Sequence, residues 1–298
     1  MSKKKLLFIY NPHSGKSRIR SNLLDIIDIF VKAGYEVTAY PTQGSGDATK
    51  AVVDRAPGYD LIVCSGGDGT LDEVVYGMME SIDKLPIGYV PAGSTNDFAR
   101  SLGIPYNMVK AADVVVNGVP FKSDIGSLNN DFFVYVAAFG VFTEVTYSTP
   151  QNIKNTLGYS AYILEAIKSL PSVKPYHMHI TWEEGDIEDD FMFGMVTNSI
   201  SVGGFKGITG HHVYLDDGYY EVTLIKSPSF PHELNEILIA LADRRMDSKN
   251  IITFKSSHIT FDSSKPVAWT RDGEYGGDHT SAVITVHEQA MDILTPQK

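Results

Sequence analysis

Between Asp60 and Met78 the chain reads DLIVCSGGDGTLDEVVYGM. An apolar run with strand character breaks into Gly66-Gly67-Asp68-Gly69-Thr70, and the chain resumes with helical spacing. Glycine weakens strands and helices alike, so three around one carboxylate mark a place where something comes too close for side chains. At a strand-turn-helix junction, backbone N–H groups and the helix N-terminus face a bound anion. Asp68 beside a bare phosphate would repel it, whereas Mg²⁺ between the two makes the arrangement chemically sound. The stretch therefore reads as a site for a nucleotide phosphate with its metal. A tight βα turn with an incidental aspartate is the alternative, because glycine patterns alone are common.

The surroundings of this junction constrain the fold. Up to about residue 120 strand and helix alternate: KLLFIY, then SNLLDIIDIFVKAG with apolar positions at 23, 26, 27, 30 and 31, stopped by Gly34. YEVTAY, a helix over DATKAVVDRA, DLIVCS, a helix over TLDEVVYGMME and PIGYV repeat the cycle. Such alternation predicts a three-layer, Rossmann-like α/β domain with a parallel sheet. Its ligands bind at the carboxyl ends of the strands, where NPHSG, PTQGSGD, SGGDG and PAGSTND all fall. From about residue 122 strands dominate, with helices near LGYSAYILEAIKSL and HELNEILIALADRRM. That pattern predicts an all-β antiparallel, sandwich-like domain. The expected division is 1–121 for the first domain and 122–286 for the second, with a tail of about 287–298 returning to the first.

Composition excludes several classes. Of 298 residues, 43% are hydrophobic and 20% charged, with no tract suggesting disorder. The formal net charge of −11 argues against general nucleic-acid binding, although Lys3, Lys4, Lys5, Lys16, Arg18 and Arg20 make a local basic cluster. The single cysteine, Cys64, excludes an intrachain disulfide and reads as a buried, inert thiol suited to a reducing cytosol. Leu6 to Tyr10 is too short for a signal-peptide core. No segment reaches the roughly 18 apolar residues of a membrane span. The expectation is a soluble, cytoplasmic protein.

Other motifs support the phosphate reading. NPHSGKS ends like a P-loop, but Tyr10 stands where that motif requires glycine, so a Walker A loop is rejected. Asn11, Ser14, Gly15 and Lys16 still suit a polar phosphate loop. PAGSTNDFAR places Ser94, Thr95, Asn96, Asp97 and Arg100 at another strand end, where helix capping is a compatible alternative. In TRDGEYGG, Asp272 and Glu274 flank Gly273, and the residues alone favour a DG-type hairpin turn.

Taken in order, NPHSG, GGDGTLDEV, PAGSTNDFAR, DIG with Asn129, and DGEYGG resemble the diacylglycerol kinase catalytic family. That family includes sphingosine and ceramide kinases and is distantly related to NAD kinases and 6-phosphofructokinases through the GGDG turn. The likeness runs from about residue 5 to the C-terminus and is greatest to the soluble bacterial diacylglycerol kinases, across GYEVTAYPTQGSGDAT and LDDGYY.

The resemblance implies an ATP site on Asn11, Pro12, His13, Ser14 and Gly15, on Thr42, on Gly66, Gly67, Asp68, Gly69, Thr70, Leu71, Asp72 and Glu73, and on Ser94. It implies that Asp68, Asp97 and Asp124 reach the catalytic Mg²⁺ largely through water, in a cleft between the domains. It places the general base at Glu274, with Asp272 assisting, and a structural Mg²⁺ on Tyr214, Asp217 and Tyr219. For that second metal a surface turn is the competing reading.

The implied reaction is ATP-dependent phosphorylation of the primary hydroxyl of diacylglycerol to phosphatidic acid at a membrane surface. Lys16, Arg18 and Arg20, with Lys154 and Lys168, are candidates for meeting anionic lipid. The helix at LGYSAYILEAIKSL reads first as core and second as a lipid contact. The family includes both homodimers and monomers. His177 with His179, and His211 with His212, lack the third ligand a zinc site needs. Rival readings are a kinase for a sphingoid base or prenol, an NAD kinase, and a non-catalytic lipid or nucleotide sensor.

Overall fold

The apolar runs of the first part become strands β1 (Lys4–Tyr10), β2 (Tyr35–Pro41), β3 (Leu61–Gly66) and β4 (Ile87–Pro91). They belong to a computed structural model that describes residues 3–140, 175–202, 205–206, 213–242 and 248–297. All four are parallel, in the order β4-β3-β1-β2. Leu6 to Ile9 and Leu61 to Cys64 are buried, as strands covered on both faces must be. Helices α1 (Ile19–Lys32), α2 (Asp47–Arg55), α3 (Asp68–Glu80), α4 (Asp97–Ser101) and α5 (Met108–Asn117) alternate with them.

Local chemistry sets the helix ends. Ile19, Ile26 and Phe30 form the buried stripe of α1, and Gly34 takes φ +93° just beyond it, a left-handed conformation natural to glycine. Asn107 caps α5 by accepting the Lys110 N–H at 3.0 Å. Lys84 closes α3, its ammonium donating to the carbonyls of Met78 and Met79 at 2.6 Å each. Helices α2 and α3 meet at Gly77, where a β-carbon would lie 2.7 Å from the Thr49 carbonyl oxygen.

The second part contains β5 (Val119–Leu128), β6 (Asp131–Phe133), β7 (Val136–Gly140), β8 (Tyr176–Trp182), β9 (Gly185–Thr197), β10 (Ser201–Val202) and β11 (Phe205–Lys206). These are followed by β12 (Tyr220–Lys226), helix α6 (Pro231–Ala242), β13 (Ile251–Ser256), β14 (His258–Arg271) and β15 (Glu274–Thr295). The described residues divide into two compact units, Met1–Ser123 with Gln289–Lys298, and Asp124–Glu288. Within the first unit the end of β15 adds a further parallel strand, Ile293 pairing with Ile87.

Within the second unit pairing is antiparallel. The antiparallel, strand-rich part expected from the sequence is present. Two long strands join its ladders: β9 and β14, with 13 and 14 residues, each pair with β7 along one part and β8 along another. Phe139, Phe191, Phe261 and Trp269 form the aromatic centre of the core, with Phe139 and Trp269 rings 5.0 Å apart. The expected helix near LGYSAYILEAIKSL, together with Lys154, Lys168, His211 and His212, lies outside the described residues.

Candidate active site

Parallel pairing brings the glycine-rich loops of the first unit together. Each loop extends the ladder by one bond past the strand end: Asn11 N–H to Ser65 O and Thr42 N–H to Tyr10 O at 2.9 Å, and Ala92 N–H to Gly66 O at 2.7 Å. The loops touch through glycine. At Gly15, φ is +48° and a β-carbon would fall 1.7 Å from the Ala92 carbonyl oxygen. At Gly93 a β-carbon would lie 2.6 Å from the α-carbon of Gly67. Backbone meets backbone at both contacts, which only glycine permits. Residues 11–15, 66–70 and 92–96 thus share one end of the sheet.

Other groups hold these loops in shape. Asn11 Oδ1 accepts the His13 N–H at 2.9 Å, turning the chain through Pro12 toward Ser14. Asn96, at φ +48°, ties the 93–96 turn together by accepting from Gly93 N–H and donating to Gly93 O. The buried Tyr89 hydroxyl donates to Gly66 O at 3.2 Å. Burial, reinforced by Asp68, pushes that phenol well up, so it stays a donor. Asp68 Oδ2 accepts from Thr95 Oγ1 at 3.2 Å and from Asp97 N–H at 3.3 Å. Two of the three expected metal aspartates are therefore neighbours, each opening a helix whose dipole favours a negative charge.

Not every expected nucleotide residue presents a side chain. Glu73 is spent on the adjacent loop, Oε1 accepting Gly46 N–H at 2.8 Å and Oε2 accepting Ala48 N–H at 3.1 Å. It anchors the segment beyond Thr42, itself nearly buried. Leu71 packs in the core and gives its N–H to Gly67 O, so it holds α3. Thr70 is buried against Gly66, Asp72 is half-buried, and Ser94 is exposed at the loop tip. Gly69 faces open space.

The second unit holds the remaining candidates. Asp124 is fully buried; its N–H donates to Leu215 O at 2.8 Å, and its Oδ2 accepts Gly218 N–H at 2.7 Å. Asp272 and Gly273, at φ +47° and +87°, form the two-residue turn joining β14 to β15, with Arg271 opposite Glu274. The hairpin read from the residues is thus present. Glu274 is exposed as the first residue of β15. Asp272 is 6% exposed, and its carboxylate accepts three backbone N–H groups, Val134 at 2.6 Å, Tyr135 at 3.0 Å and Val136 at 2.9 Å. It can assist Glu274 by fixing the turn that carries it.

Asp124, Asp68 and Asp97 offer hard carboxylate oxygens, the donor type Mg²⁺ prefers. Among the described residues no three His, Cys, Asp or Glu side chains are arranged to hold a metal directly. His177 and His179 pair with Asp190, Glu188 and Asp186 on an exposed strand face. At the suggested structural site, Asp217 Oδ1 accepts Tyr219 N–H at 3.1 Å, and Oδ2 accepts the Lys255 ammonium at 2.8 Å. Each carboxylate oxygen retains a second acceptor site, and carboxylate oxygen is the donor type a hard cation takes. Sequence reasoning missed Thr95 as a partner of Asp68, and missed Lys255 and Glu221. Glu221 leaves a trace, being a carboxylate inside the strand run YEVTLIK.

These features define a nucleotide-type α/β unit linked to a β-rich unit with a carboxylate-bearing hairpin. Residues 5–128 match the diacylglycerol kinase catalytic domain family. A diacylglycerol kinase of Bacillus subtilis (strain 168) is 34% identical over 99% of this chain and 98% of its own length. One from Staphylococcus epidermidis (strain RP62A) is 35% identical, over 99% and 93%. A crystal structure of a diacylglycerol kinase from Bacillus anthracis superposes with a TM-score of 0.78 at 23% identity, covering 99% of this chain and 98% of that one, a likeness of fold. The chain belongs to the diacylglycerol kinase catalytic family. Among the described residues no helix is long and apolar enough to cross a membrane.

Proposed function

We propose that this protein transfers the γ-phosphoryl group of ATP to the primary hydroxyl of diacylglycerol, giving phosphatidic acid and ADP. The observation that carries the reading is the convergence of loops 11–15, 66–70 and 92–96 through glycine backbone contacts beside the Asp68–Asp97 pair. The triphosphate lies against these backbones, where side chains are absent and helix N-termini supply positive potential. Asp68, Asp97 and Asp124 would hold Mg²⁺, largely through its water shell, and the ion would supply positive charge to the transferring phosphoryl group. Glu274 accepts the hydroxyl proton as the alcohol oxygen bonds to the γ-phosphorus and the bond to the β-phosphate oxygen breaks. Asp272 keeps the hairpin tip fixed during this step. A structural Mg²⁺ on Asp217 with the Tyr214 and Tyr219 carbonyls belongs to the same proposal.

The lipid is met at a membrane surface by Lys16, Arg18 and Arg20, of which Arg18 and Arg20 are exposed. A kinase for another lipid alcohol is the second reading, because a general base beside a metal-bound triphosphate serves any primary hydroxyl. The test is ADP release with mixed micelles of diacylglycerol, compared with sphingosine, undecaprenol and NAD. Diacylglycerol is expected to give the largest signal. A signal with NAD alone overturns the lipid reading.

A further inference from the structure

Antiparallel pairing of β12 with β13 sets Glu221 opposite Lys255. The Lys255 ammonium lies 3.1 Å from Glu221 Oε1 and 2.8 Å from Asp217 Oδ2, and 5.3 Å from the centre of the Tyr214 ring. One cation therefore joins a strand carboxylate, a loop carboxylate and an aromatic face. Glu221 is 4% exposed; burial pushes its carboxyl up to about 7, and the Lys255 ammonium opposes that rise.

The loop that Lys255 grips is the one that grips Asp124. Leu215 O accepts the Asp124 N–H, and Gly218 N–H donates to Asp124 Oδ2. Gly218 aims its amide this way at φ +76°, a conformation side chains resist, and a β-carbon there would meet the Glu288 carboxyl at 3.4 Å. Asp217 is the residue immediately before it. A continuous path runs from Lys255 through the Asp217 carboxylate and the Gly218 amide to the Asp124 carboxylate. Removing the ammonium removes the ion pair at 2.8 Å that ties the Asp217 carboxylate, and with it this loop, to β13.

We propose that Lys255 is a positioning residue that sets the Asp124 carboxylate through the 215–218 loop, an inference that rests on Asp124 being a metal-facing group. Lys255→Met keeps most of the side-chain volume without the charge, and Lys255→Arg restores a cation. In Lys255→Met, amide hydrogen exchange at Gly218 is expected to quicken and the Mg²⁺ concentration for half-maximal ADP release to rise several-fold, with KM for ATP unchanged. Lys255→Arg is expected to recover both. Lys255→Gln, which keeps a hydrogen-bond donor without the charge, is expected to quicken Gly218 exchange less than Lys255→Met, and it serves should Lys255→Met fail to fold. Unaltered Gly218 exchange in these variants overturns the proposal, as does altered exchange with an unaltered Mg²⁺ requirement. A wild-type protein that releases no ADP with any alcohol overturns the kinase reading instead, while the exchange result still reports on the Lys255 link.

Discussion

Glu274 and Gly15 show two ways in which a single position governs the proposed chemistry. Glu274 is exposed and follows a turn whose Asp272 is bound by three backbone amides, so its carboxylate is free to meet an incoming hydroxyl on a rigid mount. Glu274→Gln is expected to lower turnover by about 10²–10⁴-fold, the usual worth of a general base, with ATP affinity retained by calorimetry. Retained turnover discards the assignment. Gly15 holds φ +48° with no room for a β-carbon beside Ala92. Gly15→Ala is expected to weaken ATP binding at least about tenfold, because a left-handed conformation costs a non-glycine residue roughly 1–2 kcal/mol before any clash. ATP titration of the folded variant reads the effect.

Helices α2 and α3 pack without a side chain at Gly77, since Thr49 O and the Val52 β-carbon occupy the space a β-carbon would need. Gly77→Val is expected to destabilise the protein by about 1–3 kcal/mol, the range for overpacking, as measured by urea unfolding. Strand β15 carries a pH-sensitive contact. The His287 ring packs on the edge of Phe132 at 5.4 Å, and Nε2 meets Ser127 Oγ at 3.0 Å. Burial holds its pKa below the ordinary histidine value. The folded chain therefore favours the neutral ring, and the stability this contact contributes is present above the ordinary value. It is lost as pH falls from there toward the depressed one. His287→Gln is expected to lessen the drop in melting temperature between about pH 7.5 and pH 5.5, a window that brackets the ordinary histidine pKa. An equal drop in both proteins refutes the linkage.

For the molecule as a whole, nucleotide binding and folding are linked. At about a hundredfold excess over its dissociation constant, ATP with Mg²⁺ is expected to add about 2.7 kcal/mol to stability. Thermal unfolding with and without nucleotide measures this, and Asp68→Asn is expected to lose most of the gain. The parallel layer around the glycine turns was legible because its strands are buried on both faces and so read as unbroken apolar runs. The strand-rich second unit was legible as a class, yet its pairings were not, because nothing in a linear run reveals that β9 and β14 each serve two partners. Motif residues in NPHSG, GGDG and PAGSTND stood out because several polar or glycine-rich turns fall at the carboxyl ends of parallel strands. The jobs of Glu73 and Asp272 did not, because both turn their oxygens to backbone amides that are set only once the chain has folded.

Spacing, periodicity and glycine placement along the chain were enough to indicate an α/β part followed by strands, and to single out the acids of the proposed site. Folding alone decided which of those acids sit side by side and which are consumed as anchors. It also recruited Lys255, which lies 38 residues from Asp217 and meets it because β12 and β13 pair in one register. The physical reason is range: steric and helical preferences act over a few neighbours, whereas a hydrogen bond between distant residues exists only where the whole fold brings donor and acceptor within about 3 Å.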